Sequence, residues 1–296
     1  MGNINFWKIL RVLTTNSCNY KCFFCHNEGQ NKSAKDKLFL RFKDFRIILD
    51  SLKDTSLKEI HFSGGEPFLN EETIEMILYA NDSTVLEIGC ATNTTFLTES
   101  IIKRLAVTRI KLNIQFPAFN VQDFSRITKN GNIYQVIEKL DLLKSYNIPY
   151  GLNHVLQPDN FNSIESIIDF AKIYSTSIKL LPDLDNPKSI KLKEKIYPYL
   201  DEISLRKINK GTGALKWLIP RENNTELSVM YVDSPCFYKD IDSCRNYAEI
   251  RLLPDLKLQS CIKKEEFYFL DFNINKNNKQ LILDKFQLSW KDFISC

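Results

Sequence analysis

Apolar and polar positions in the first two thirds of the chain switch repeatedly between a two-residue period and a helical one. Residues 7–14 (WKILRVLT) read as a strand, and 41–53 (RFKDFRIILDSLK) gather their apolar positions on one helical face. Strand 58–63 follows, then helix 71–80, for which Asn70 is the expected N-cap. The series continues as strand 85–91, helix 98–106, strand 109–115, helix 132–146, strand 150–155, helix 162–174 and strand 177–181. Six strands separated by helices predict the α/β class, with consecutive β-α-β units on a parallel sheet. Six strands fall short of a closed eight-stranded barrel, and periodicity leaves an open sheet and a partial barrel equally open. In either case the chemistry is expected at the C-terminal ends of the strands.

Beyond Pro182 the pattern degrades. Residues 1–182 are expected to form the sheet unit, and 183–296 an irregular second region packed against its mouth. Short strands are expected within that region at 226–232, 248–253 and 256–260, and a solvated loop at 273–279.

Hydrophobic residues at 44% and charged residues at 26% over 296 residues describe a soluble globular chain. Lys+Arg 40 against Asp+Glu 36 leaves a net charge of +4, too slight an excess to point to nucleic acid or an anionic membrane. No apolar run approaches the ~20 residues of a membrane span. The opening residues carry no secretory signal, so a cytoplasmic location is expected. Thiols stay reduced there, and eight cysteines then call for metal or redox chemistry rather than disulfides.

Cys18, Cys22 and Cys25 crowd onto the loop that leaves the first strand. Three thiolates on one short loop suit an iron–sulfur cluster with one iron left open. A zinc site completed by His26, a Cys22–Cys25 dithiol and buried structural thiols are the competing readings of this spacing alone. Gly64-Gly65-Glu66-Pro67 closes the second strand beside that loop. Its glycines permit close backbone approach, and Glu66 can accept from a ligand amine.

Together the two motifs resemble those of the radical S-adenosylmethionine (SAM) superfamily, including Phe24, the aromatic residue before the last cysteine. The resemblance implies a partial (β/α)6 TIM-type barrel. It also implies that Cys18, Cys22 and Cys25 ligate a 4Fe-4S cluster whose open iron binds the amino and carboxylate groups of SAM. Gly64, Gly65, Glu66 and Pro67 would then contact the methionine amine. Electron transfer into SAM would release a 5′-deoxyadenosyl radical that takes a hydrogen atom from the substrate, with a reductant such as flavodoxin or ferredoxin.

Within the superfamily the chain resembles the MoaA branch, the GTP-cyclising enzymes of molybdenum-cofactor biosynthesis, over residues 6–182 and again over 236–262. Arg11 sits where that branch has a phosphate-contacting arginine. Thr92-Asn93 resembles its Thr-Asn-Gly turn near SAM, with Thr94 in place of glycine, and Asn113-Ile-Gln115 stands for a Ser-Leu-Asp run near SAM. Residues 124–130 and 153–155 resemble later barrel units. The second stretch resembles the branch's auxiliary-cluster segment. Cys244, Cys261 and Arg251 match its pattern, Tyr247 replaces one cysteine and Glu249 one arginine. Cys236 could supply the lost thiolate, giving a second, three-cysteine 4Fe-4S cluster.

Asn70 replaces a further arginine of that branch. With two fewer guanidinium groups to grip a triphosphate, GTP is not the expected substrate. The expectation is a small phosphorylated or nucleotide-like molecule held by Arg11 and Arg251. The alternatives are a ribosomally made peptide and, in another class, a non-enzymatic iron–sulfur or zinc protein. Cys90 is expected to be core, and Cys296 a frayed end.

Overall fold

The computed structural model describes residues 7–25, 36–129, 131–174, 176–211, 213–271 and 279–296. His26, Asn130 and all but the last residue of the loop expected at 273–279 lie outside the described residues.

Six strands enter one sheet in chain order: β1 (Ile9–Leu13), β2 (Glu59–Ser63), β3 (Glu87–Thr92), β4 (Ile110–Gln115), β5 (Tyr150–Leu156) and β6 (Ser177–Pro182). Every neighbouring pair among them is parallel, as β-α-β crossovers require. The helices between them are α1 (Phe42–Leu52), α2 (Thr73–Ser83), α3 (Glu99–Leu105), α4 (Val121–Thr128), α5 (Ile133–Ser145) and α6 (Ile164–Tyr174). α4 is not among the helices predicted from the period. It has only eight residues and three buried ones, Phe124, Ile127 and Thr128, too few to show a clear repeat. Asn120 starts it by accepting from the Asp123 amide at 2.8 Å.

Asn70 makes a capping bond, its Oδ1 accepting from the Glu72 amide at 3.0 Å, but it caps the turn that leads into α2 and not the helix's first residue. That helix starts after Glu72, and Asn70 is buried and turned inward. Its amide donates to the carbonyls of Thr14 (3.0 Å) and Leu40 (2.8 Å), tying the exit of β1 to the entry of α1.

After Pro182 the chain forms α7 (Pro187–Lys191), α8 (Lys193–Ile203), β7 (Arg206–Asn209), β8 (Ala214–Pro220), β9 (Glu226–Val232), α9 (Ile241–Tyr247), β10 (Glu249–Leu252), β11 (Lys257–Gln259), β12 (Tyr268–Phe269) and α10 (Lys279–Lys291). Where an irregular cover is expected, these strands extend the same sheet at both edges. Its order is β12-β11-β10-β1-β2-β3-β4-β5-β6-β9-β8-β7. β10 runs parallel to β1 and β9 parallel to β6, while the outer strands are antiparallel. Pairing there satisfies edge groups that β1 and β6 would otherwise leave open.

Alternation sets two unlike faces. One face carries Leu10, Val12, Ile60, Phe62, Ile88, Leu112, Leu152, Ile178, Leu180, Val229 and Ile250, all buried. The other is polar. Its register aligns Arg251, Arg11, His61, Gly89 and Lys111 in one row, and Gln115, Asn153 and Lys179 in another. Among the described residues no helix is long and apolar enough to cross a membrane.

Candidate active site

β1 delivers the chain into the loop Thr14–Cys25, and the loop after β2 locks it in place. The Thr14 amide donates to Ser63 O (3.0 Å), that of Gly65 to Thr15 O (2.9 Å), and that of Glu66 to Ser17 O (2.8 Å). The two glycines make this approach possible. A Cβ on Gly65 would stand 1.8 Å from Ser17 O, and one on Gly64, at φ +130°, 2.5 Å from Thr15 O. The close approach is therefore to the cysteine loop's own backbone.

Cys18 is held from two sides, accepting from the Tyr20 amide at 3.3 Å and from Asn93 Nδ2 at 3.7 Å. The Cys25 amide donates to Cys22 O at 3.2 Å, and Phe24 is buried beneath them. Burial, with Cys18 and then Cys25 close by, pushes the Cys22 thiol up to about 12. Three thiols gathered in this way ionise together only when a cation shares their charge, which is what a cluster provides. Among the described residues no group of three or more His, Cys, Asp or Glu closes around a single metal ion.

Glu66 is 1% exposed, and its carboxylate is already engaged. It accepts from Thr92 Oγ1 (2.7 Å), the Asn93 amide (2.7 Å) and the Phe68 amide (3.3 Å). Burial outweighs these donors and lifts its acid to about 7. Glu66 thus ties the exit of β2 to that of β3, and through Asn93 to Cys18. Thr94, at φ +68°, keeps a glycine-like backbone, 1% exposed, and its hydroxyl has no partner. Gln115 Nε2 and Asn153 Oδ1, neighbours in register on the polar face of β4 and β5, are likewise buried without a partner. The orphaned Thr94 hydroxyl, next to the Asn93 that holds Cys18, fits a polar ligand beside the cysteine loop. Sequence reasoning missed Asn153 as a single residue and passed over Lys179, although inward alternation along β5 and β6 could have found both.

Arg11 is placed on the polar face, but its fork is filled. Nε and Nη2 each meet a carboxylate oxygen of Glu249 at 2.8 Å. His61 pairs with Glu59 at 3.0 Å. Arg251, 4% exposed, faces Arg11 across the β1–β10 ladder. Asn113 accepts from Lys179 Nζ at 2.7 Å. Burial first, then Lys111 and Arg11, push Lys179 down to about 8, against the opposing pull of Glu59.

The second cysteine set is assembled from three segments. Cys236 lies in a short 3-10 turn (Pro235–Tyr238), Cys244 in α9, and Cys261 just past β11. Burial raises Cys236, with Cys261 close by, and raises Cys244 to about 11, with Cys236 close by. The three are near enough to feel one another. Cys90, by contrast, is buried in β3. None of the eight cysteines is in a disulfide.

The pattern of the radical SAM superfamily matches residues 12–171, just over half of the chain. An uncharacterized protein of Methanocaldococcus jannaschii is 29% identical over 92% of this chain and 90% of its own length. A probable GTP 3′,8-cyclase of Sulfurisphaera tokodaii is 27% identical over 87% of this chain and 82% of its own. Among solved structures, Streptococcus suis SuiB bound to S-adenosylmethionine superposes with a TM-score of 0.70 at 14% identity, over 94% of this chain. This chain spans 65% of that protein's length. SuiB bound to its precursor peptide SuiA superposes at 0.72. These likenesses agree with the parallel sheet and the cysteine loop at its C-terminal end: the chain belongs to the radical SAM superfamily and is a radical SAM enzyme, for which the family implies a 4Fe-4S cluster and S-adenosylmethionine.

Proposed function

We propose that the chain takes a hydrogen atom from a small phosphorylated or nucleotide-like substrate other than GTP, with electrons from a flavodoxin or ferredoxin in the cytoplasm. What a cluster at Cys18, Cys22 and Cys25 supplies when bound is one electron to the sulfonium of SAM, and so the 5′-deoxyadenosyl radical that abstracts the hydrogen. Phe24 packs under that loop. Main-chain carbonyls of Gly64 and Gly65 are left to take the methionine ammonium, because the Glu66 carboxylate is spent on Thr92 and Asn93 and the Pro67 carbonyl on Thr73, Thr14 and Asn70. Thr92 and Asn93 orient the loop, and Thr94 lines its ligand side, with Gln115 and Asn153 on the polar face of the sheet. Residues 1–182 carry this machinery. Residues 183–296 carry Arg251 and a second 4Fe-4S cluster on Cys236, Cys244 and Cys261.

The observation that carries the substrate class is Lys179, a half-buried ammonium on the polar face that, among the described residues, bonds Asn113 and no carboxylate. A half-buried cation of this kind favours a compact anionic group. Arg11 cannot add the bidentate grip a triphosphate calls for while Glu249 fills its fork. The test is anaerobic SAM cleavage in the presence of nucleoside monophosphates, GTP and short peptides, following 5′-deoxyadenosine and deuterium uptake into it. Monophosphates are expected to raise turnover and GTP is not. A cyclised product from GTP would overturn the reading.

Lys179→Met is expected to raise KM on the order of 10-fold while leaving kcat nearly unchanged. In the unmodified enzyme KM should climb as pH rises through about 8, because Lys179 then loses its proton and its hold on the anion. A flat KM profile across that range would remove Lys179 from the site. A peptide substrate is the second reading, favoured by the likeness to SuiB solved with SuiA. Turnover stimulated by peptides alone would select it.

A further inference from the structure

The tail that carries Cys296, expected to fray, is tied down from both sides of the second cysteine set. Arg245, next to Cys244, donates Nη1 to Trp290 O at 3.2 Å and to Phe293 O. Its guanidinium also lies 5.1 Å from the centre of the Trp290 ring. Lys264, three residues past Cys261, donates to Ser295 Oγ at 3.1 Å. Ser260, adjacent to Cys261, meets Ser289 of α10 through its carbonyl (2.9 Å) and its hydroxyl (2.6 Å). Phe293 is buried against Trp290, with ring centres 5.8 Å apart. These contacts hold Ser295, and the Cys296 that follows it, against the segments that carry Cys244 and Cys261, while the turn that carries Cys236 joins α9 at Asp240, whose amide donates to Pro235 O at 3.1 Å.

We infer that Cys296 is the fourth protein ligand of the auxiliary cluster held by Cys236, Cys244 and Cys261. The inference rests on the proposed second cluster and changes its role. Four thiolates satisfy every iron of a cube, since each thiol gives its proton to solvent as it ligates. No iron then stays open for substrate, so the auxiliary cluster passes electrons or braces the sheet edge, and substrate binding falls to the polar face of the sheet. The cysteine that α9 lacks at Tyr247 is made good by two thiols from outside the helix.

The test uses the full chain carrying Cys18→Ala, Cys22→Ala and Cys25→Ala together, in which only the second site can hold iron. After reconstitution about four irons per chain are expected, with an EPR signal on reduction. Mild oxidation should leave this cluster whole. With Cys296→Ser added, the same treatment should release about one iron in four and give the EPR signal of a three-iron form. If the parent already yields that form and Cys296→Ser changes nothing, Cys296 is not a ligand. If the parent holds no iron while the unmodified chain holds about four, the second cluster is itself absent, and the inference falls with it.

A second measurement avoids these variants: iodoacetamide labelling of the unmodified chain, read by mass spectrometry. Cys296 should be protected along with Cys236, Cys244 and Cys261 when iron is loaded, and should label after chelation. Labelling of Cys296 in loaded protein whose other three are protected would overturn the inference.

Discussion

The two cysteine sets are built in opposite ways. Cys18, Cys22 and Cys25 lie on one short loop, and a neighbouring loop fixes their backbone through three main-chain hydrogen bonds. Cys236, Cys244 and Cys261 come from three segments, and what holds them together is mostly side chain: Arg245 on the tail, Lys264 on Ser295 and Ser260 on Ser289. A site made by backbone tolerates almost no added volume but keeps its shape when a side chain is removed. A site made by side chains is the reverse.

The strongest way to break that contrast is at Gly65. A methyl group 1.8 Å from Ser17 O must displace one of the two loops, because backbone cannot swing aside. Gly65→Ala is expected to cut SAM cleavage on the order of 100-fold, the scale of a misplaced reacting group. Iron at the second set should remain, so total iron should fall by about half. Iron lost equally from both sets would mean that the loops are not independent.

Next comes a paired deletion. Cys22→Ala should abolish 5′-deoxyadenosine formation. Cys261→Ser should preserve the abortive cleavage of SAM while costing the second cluster iron, seen as lower iron content and a changed EPR signal. If Cys261→Ser also stops SAM cleavage, the second set serves the first and the division between them is wrong.

The same contrast explains what the sequence discloses. The first set is contiguous, so its spacing and the nearby Gly64-Gly65-Glu66-Pro67 can be read directly, as can the six strands and five of the helices around them. α4 is hidden because three buried residues in eight make a weak period. The second set is only half legible. Cys236, Cys244 and Cys261 stand out as cysteines, but the contacts that tie the tail before Cys296 to Arg245 and Lys264 cross 30 to 50 residues of chain. The partner of Arg11 is invisible for a similar reason. Glu249 lies 238 residues away and meets it only because β10 pairs with β1. Paired glycines suggest room for a ligand, yet their nearest neighbours here are the carbonyls of Thr15 and Ser17.

β10 is also where the two halves of the comparison touch, since it follows α9 and lies against the strand that leads to Cys18. Glu249→Gln removes one charge from a half-buried bidentate pair and is expected to destabilise the chain by about 1–3 kcal/mol, read from the urea midpoint. It also frees the Arg11 fork, so binding of GTP should tighten even as stability drops. Unchanged GTP binding would show that Arg11 does not face the substrate.

The smallest effect separates backbone strain at the two sites. Thr94 beside the first set and Ala248 after Cys244 both hold positive φ, +68° and +60°. A left-handed backbone costs an L-residue roughly 1–2 kcal/mol, and a β-branched one suffers most. Thr94 also buries a hydroxyl without a partner, whereas Ala248 buries only a methyl group. Thr94→Gly should therefore stabilise the ligand-free chain by about 1–2 kcal/mol and Ala248→Gly by about 1 kcal/mol or less, each with unchanged denaturant slope. The loop backbone needs no rearrangement, because the Thr94 amide already bonds Thr92 Oγ1 at 2.9 Å and its carbonyl accepts from Leu97 at 3.0 Å. If Thr94→Gly gains stability but loses affinity for SAM, the strained hydroxyl is a ligand contact, and the strain is retained for function. Equal gains at both positions would mean that the strain is set by helix and turn geometry alone.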